Sequence, residues 1–202
     1  MDCVMKLKEI AEIQSGYITR GKIEADEGGT HFLLQGRDVD ADRLTFRAET
    51  FIRFNPKMSR NDVLLQANDL LFMARGNRNY TILINDIPGP ALAAASFFII
   101  RVSRKDVLPA YLFWYLNQAP VDSYLQQHSG RGVHMPVVRR PVLENAPVPI
   151  PPFAVQEKVA GLDGLLRDEV ELLRKLSEKR KEQISAVCLQ AVRDHTASRK
   201  SK

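Results

Sequence analysis

Two rhythms divide this chain. Up to residue 152, apolar residues come in short bursts separated by Gly, Pro, Asn and Asp. From 153 to 194 they recur every three or four positions, and proline is absent. The first rhythm predicts a mixture of α and β structure. Leu7, Ile10, Ala11 and Ile13 share one face of a short helix over 7–13, which Ser15-Gly16 ends. Strands are expected over 30–35 and 44–54, with a turn at 58–61. The run Leu70-Leu71-Phe72-Met73-Ala74 makes a compact strand over 69–75, and 80–84 a second. Gly76-Asn77-Arg78-Asn79 is short enough to join them as a hairpin, from residues that tolerate turn conformations. A strong strand follows over 94–102. Helices are expected over 109–117, with proline in the first turn, and over 121–128. A loop at 129–132 and a final strand over 142–150 complete the body.

The second rhythm has the composition of a long helix: Leu, Glu, Lys, Arg, Gln and Ala dominate, and Gly161 and Gly164 are the last glycines. Leu162, Leu166, Leu173, Leu176, Ile184, Val187 and Ala191 form an apolar stripe. Ser177, Lys179, Arg180 and Gln183 interrupt it, so the pattern is not a perfect leucine zipper. A helix over 154–194 would be ~60 Å long at about 1.5 Å per residue. It cannot bury its stripe against itself and needs the body, a second copy or another protein. The expected organisation is an α+β body over 1–152, a helix over 153–194 and a disordered basic tail over 195–202.

Composition narrows the class. The chain has 202 residues, 45% of them hydrophobic and 26% charged, as in an ordinary folded protein. Its net charge of +5 divides into +2 for 1–150 and +3 for the remainder. Any anion-binding face on the body must therefore come from local clustering. Cys3 and Cys188 give no disulfide framework, and a reducing cytoplasm is the expected compartment. No segment has the length and apolarity of a membrane span, and the N-terminus does not read as a signal peptide.

Enzyme signatures are missing. There is no phosphate-binding loop ending in Lys-Ser/Thr, no nucleophile elbow and no dinucleotide fingerprint. Asp69 precedes a strand as a metal-binding carboxylate can, but the Glu-x-Lys that nucleases pair with it does not follow. Asp38, Asp40 and Asp42 read as a solvated loop, and Cys188 as packing. The histidines, His31, His128, His134 and His195, are scattered. Loops rich in Arg, Asn, Gln and Gly remain. Arg forks onto guanine edges and phosphates, and Asn and Gln onto adenine edges. The first candidates for DNA contact are Arg75, Asn77, Arg78 and Asn79, followed by Arg131 and His134. Gln35, Arg37, Arg20 and Lys22 could contact phosphate or bases, and Arg139 and Arg140 suit phosphates.

Several blocks carry a resemblance. Lys6-Leu-Lys-Glu-Ile-Ala-Glu-Ile-Gln-Ser-Gly16 is similar to the opening segment of a type I restriction-modification specificity subunit. Asn68-Asp-Leu-Leu-Phe-Met-Ala-Arg-Gly76 resembles that family's Gly-Asp-Ile-Leu-x-x-x-Arg-Gly stretch, with Asn68 where glycine is common. Ala95-Ser96 and Pro109-Ala-Tyr-Leu-Phe-Trp-Tyr-Leu116 resemble the following blocks. Ala146-Pro-Val-Pro-Ile-Pro-Pro-Phe-Ala-Val-Gln-Glu157 resembles the family's closing strand, double proline and glutamine at the start of a spacer helix.

The resemblance implies one target recognition domain followed by one spacer helix, half of the usual two-domain subunit. It implies a partner of double-stranded DNA, a bipartite target and no catalysis in this chain. Methyltransferase (modification) subunits, and restriction subunits joining them, would carry the adenosylmethionine, ATP and magnesium. No cofactor is expected here. The long stripe is satisfied if two copies pair as an antiparallel coiled coil in a homodimer, each presenting one reader to a palindromic, interrupted target. Pairing with a different half-subunit is the other arrangement. A protein-interaction module on the same fold, without sequence-specific DNA reading, is the alternative function, favoured by the nearly neutral body. A nuclease or methyltransferase fragment would need a metal site or cofactor pocket that the residues do not supply.

Overall fold

The structure is a computed structural model. It describes residues 3–18, 21, 23–57, 63–76, 78–128 and 137–200, the side chains of residue 3 and of 194–200 excepted. It divides into a compact unit, Met1–Ala160, and a second unit, Gly161–Lys202.

In the first unit the chain order is β1 (Cys3–Lys6), α1 (Leu7–Ile10), β2 (Ala11–Ser15), β3 (His31–Leu34), β4 (Val39–Asp40), β5 (Thr45–Phe46), β6 (Ile52–Phe54), β7 (Leu70–Met73), β8 (Thr81–Leu83), β9 (Ala91–Ala93) and β10 (Phe97–Val102). Helices α2 (Pro109–Leu116), α3 (Ala119–His128) and α4 (Arg140–Glu144) follow, then β11 (Pro147–Ile150) and the start of α5 (Phe153–Lys200). The main sheet has the order β2-β10-β7-β8, and a second sheet the order β6-β3-β9. Strand β10 is central. It pairs antiparallel with β2, Ile100 opposite Ile13, and with β7, Ile100 opposite Leu70. The expected hairpin forms between β7 and β8, Phe72 facing Thr81. The chain's opening and closing strands meet as β1 and β11.

The run 70–73 is apolar at every position because both faces of β7 are buried. Leu70 and Phe72 pack with Leu112, Phe113 and Leu116 of α2, Leu125 of α3 and Leu143 of α4. Leu71 and Met73 face the second sheet, against Leu34, Ala91 and Ala93. Burial of each large side chain contributes roughly 1.5–3 kcal/mol. The two sheets join where β2 ends. The Gly16 amide donates to the Phe97 carbonyl at 3.0 Å and the Tyr17 amide to Ala93 at 2.7 Å. A Cβ on Gly16 would lie 2.2 Å from the Ala94 carbonyl oxygen, so only glycine fits this crossing.

Cys188, expected to pack, is exposed, and Asp38, expected in a solvated loop, is buried and accepts from the Gln35 amide and the Thr50 hydroxyl. Four of the expected elements also change. The helix expected over 7–13 is helical only at Leu7–Ile10. From Ala11 the chain is a strand whose buried Ala11 and Ile13 flank the exposed Glu12, and pairing with β10 decides its form. The strand expected over 44–54 is broken by the positive φ of Leu44 and a single 3-10 turn at Ala48–Thr50. The strand expected over 142–150 begins only at Pro147, because Arg140–Glu144 is helical and ties Asn145 back to Val142. The tail expected to be disordered from 195 continues the helix to Lys200. The turn expected at 58–61 and the loop at 129–132 lie outside the described residues.

The second unit is the remainder of α5. Arg174 pairs with Glu171 and Glu178, Arg167 with Asp163, and Lys179 with Glu182. These ion pairs lie along the helix itself and leave the apolar residues open. Leu162, Leu166, Leu173, Leu176, Ile184 and Val187 are each between 46% and 68% exposed, and Ala191 is exposed. No helix among the described residues is long and apolar enough to cross a membrane.

Candidate nucleic-acid interface

Three of the arginines singled out from the sequence converge. Arg75 follows the end of β7 and forms an antiparallel bridge with Val137, while the Val138 amide donates to the Ala74 carbonyl at 3.0 Å. This junction carries Arg139 and Arg140 alongside Arg75. Together with Ser15, Ile18, Ala74, Ala95, Phe98, Val137 and Val138 they line an open cleft of about 350 Å³. All three arginines are exposed. Among the described residues, neither Arg75 nor Arg139 has an ion-pair or hydrogen-bond partner for its guanidinium. Arg140 donates to Glu144 at 2.7 Å and also borders a neighbouring cleft of about 300 Å³ with Lys8, Glu12, Gln14 and Glu144.

A second group gathers around Met73. A Cβ on Gly36 would touch Met73 Cε at 3.0 Å and one on Gly76 would touch Met73 Cγ at 3.4 Å, which places both glycines against this side chain. Here the polar groups are engaged within the protein. The Asn79 amide donates to the Met73 carbonyl at 2.8 Å and closes the hairpin. Arg78 lies 3.3 Å from Asp42, and its charge also reaches Asp122 and Tyr80. Burial pushes the Asp122 carboxyl and the Tyr80 hydroxyl up, and Arg78 opposes both. Arg37 is exposed and 4.0 Å from Asp38. Gln35 has its side-chain oxygen buried, so this atom does not face solvent.

Asp69 is committed elsewhere. Its carboxylate takes both arms of the Arg101 guanidinium at 2.7 Å and the Gln66 amide at 2.8 Å. That hydrogen-bonded pair raises Arg101 above its ordinary value. Among the described residues no cluster of His, Cys, Asp or Glu is arranged to hold a metal ion.

Arg20, Lys22, Asn77, Arg131 and His134 lie outside the described residues. What sequence reasoning missed is the cleft's apolar wall. Ile18, 69% exposed, and Val137, 49% exposed, line the same cleft as the arginines. Neither Ile18 nor Val137 belongs to a periodic apolar pattern that would mark it.

A family model described as the type I restriction modification DNA specificity domain matches residues 3–182. The crystal structure of the HsdS subunit from Thermoanaerobacter tengcongensis is 16% identical, with a TM-score of 0.59 over 86% of this chain and 39% of that one. A structure from work on complex assembly and conformational transition of the type I R-M system is 18% identical, with a TM-score of 0.64 over 92% of this chain and 43% of that one. The S subunit of the type I restriction-modification system from M. genitalium is 11% identical, with a TM-score of 0.58 over 90% and 43%. The chain thus spans about two fifths of the length of these solved structures. No curated protein sequence matches it. A match over 3–182, on a fold with a mixed-sheet body followed by a long helix, places the chain in the family of type I restriction-modification DNA specificity domains.

Proposed function

We propose that this chain reads a sequence in double-stranded DNA and directs an adenine methyltransferase subunit to it, without catalysis of its own. The observation that carries the reading is the convergence of Arg75, Arg139 and Arg140 on one open cleft, with Arg75 and Arg139 unengaged among the described residues. Exposed, unpaired guanidinium groups on a nearly neutral body are local anion sites, and their forked donors suit phosphates and guanine edges. In this reading Arg75 enters the groove, Arg139 and Arg140 hold the backbone, and Arg37 and Arg78 supply outer contacts. Asn79 is a framework residue of the hairpin.

Assembly belongs to the same proposal. The exposed leucines of 162–191 pair with their counterparts in a second copy as an antiparallel coiled coil, so that two readers face a bipartite target. The methyltransferase, with a restriction subunit where one is present, joins that core. Selection of duplexes from a randomised pool by the full chain tests the reading. Enrichment of one interrupted motif supports it. Recovery of the unselected pool at low salt contradicts sequence reading, and absence of any bound duplex favours the interaction-module alternative.

A further inference from the structure

The arginine cleft is not uniformly polar. Its walls carry Ile18, 69% exposed, Val137, 49% exposed, and the half-buried Phe98. The part of each aliphatic side chain that stays in water contributes nothing to folding. Ile18 directly follows the Gly16-Tyr17 crossing, where Tyr17 packs edge-on against Phe54 at 5.5 Å. Val137 is held by its bridge to Arg75. Both apolar residues thus adjoin paired backbone and line the cleft with the arginines.

In the major groove, the feature of a base that an aliphatic group can recognise is the C5 methyl of thymine, beside phosphates that the arginines can hold. We propose that Ile18 and Val137 form a methyl-reading pair that specifies thymine at one position of the target. This rests on the DNA-reading proposal and adds to it the chemistry of one recognised base. Charge complementarity commits the cleft to the DNA duplex: a neutral apolar peptide would leave Arg75 and Arg139 without counter-charges.

The test compares the full chain's affinity for duplexes selected from a randomised pool with the same duplexes carrying deoxyuridine in place of thymine, one position at a time. Removing one buried methyl weakens binding about fourfold. One position should show that loss. Ile18→Ala and Val137→Ala should each shrink the gap between the thymine and deoxyuridine duplexes, a coupling that a merely structural role would not produce. Equal binding of all deoxyuridine duplexes by a chain that still selects a motif overturns the methyl reading and leaves sequence recognition standing. A thymine preference that survives in both variants also overturns it. Failure to select any motif overturns both.

Discussion

Gln156, fully buried near the start of α5, accepts the Leu108 amide hydrogen at 2.8 Å and donates to the Asp106 and Pro151 carbonyls, each at 2.9 Å. One side chain thus satisfies three backbone groups, and it locks the segment before α2 to the entry of the long helix. Tyr111 adds a hydroxyl bond to the Pro149 carbonyl at 2.8 Å. Gln156→Leu removes the partner of three partly buried backbone groups and should cost roughly 2–4 kcal/mol. Tyr111→Phe should cost only about 1 kcal/mol. Denaturant midpoints of the two variants check the order.

The Asp69–Arg101 pair is asymmetric: Asp69 is 1% exposed and Arg101 32%. Removing the arginine strands a buried carboxylate that keeps only the Gln66 amide. Arg101→Met should therefore destabilise by about 3 kcal/mol, the low end for a broken buried pair, because Arg101 is partly solvated. Asp69→Asn with Arg101→Met should recover part of the loss. A double-mutant cycle by urea unfolding measures the coupling.

Glu144 holds Arg140 at 2.7 Å at the edge of the arginine cleft. Glu144→Ala removes this competitor for the guanidinium. Affinity for non-specific duplex should rise, and the slope of log affinity against log salt should steepen by up to about 0.9, the contribution of one phosphate contact. Fluorescence anisotropy at several salt concentrations reads both.

In the proposed assembly the exposed leucines of α5 join two copies. Leu173→Asp with Leu176→Asp places two charges on the apolar stripe and should convert the proposed dimer to a monomer, seen as a halved mass by sedimentation equilibrium. The thermal transition of the body should be preserved, because Leu173 and Leu176 are exposed side chains of α5.

Much of the fold was legible where period and turn chemistry agreed. The β7–β8 hairpin is one example: a continuous apolar run, four turn residues and a second apolar run. The long helix is another, because nothing in 153–194 interrupts it except charge. The resemblance marked position 68 as one where glycine is common, and the structure supplies the reason: Asn68 has φ of 70°, a conformation that asparagine tolerates better than other side-chain-bearing residues. Legibility failed where tertiary pairing overrides local pattern. Leu7, Ile10 and Ile13 fit a helix, but the edge of β10 draws the chain into a strand at Ala11. The cleft was half legible. Arginine-rich loops stood out, but separating Arg75, which is unengaged, from Arg78, which faces Asp42, requires knowing what lies opposite in space. The partner of Asp69 lies 32 residues away and leaves no mark in the sequence.

DNA reading through the arginine cleft is tested most directly by titrating the full chain and its Arg75→Ala and Arg139→Ala variants against the selected and a scrambled duplex at two salt concentrations. The expected result is a split. Arg139→Ala weakens both duplexes together and lowers the salt slope by about 0.9, and Arg75→Ala removes roughly 1–3 kcal/mol of the preference for the selected duplex. Unchanged affinity, slope and preference in both variants would contradict the account.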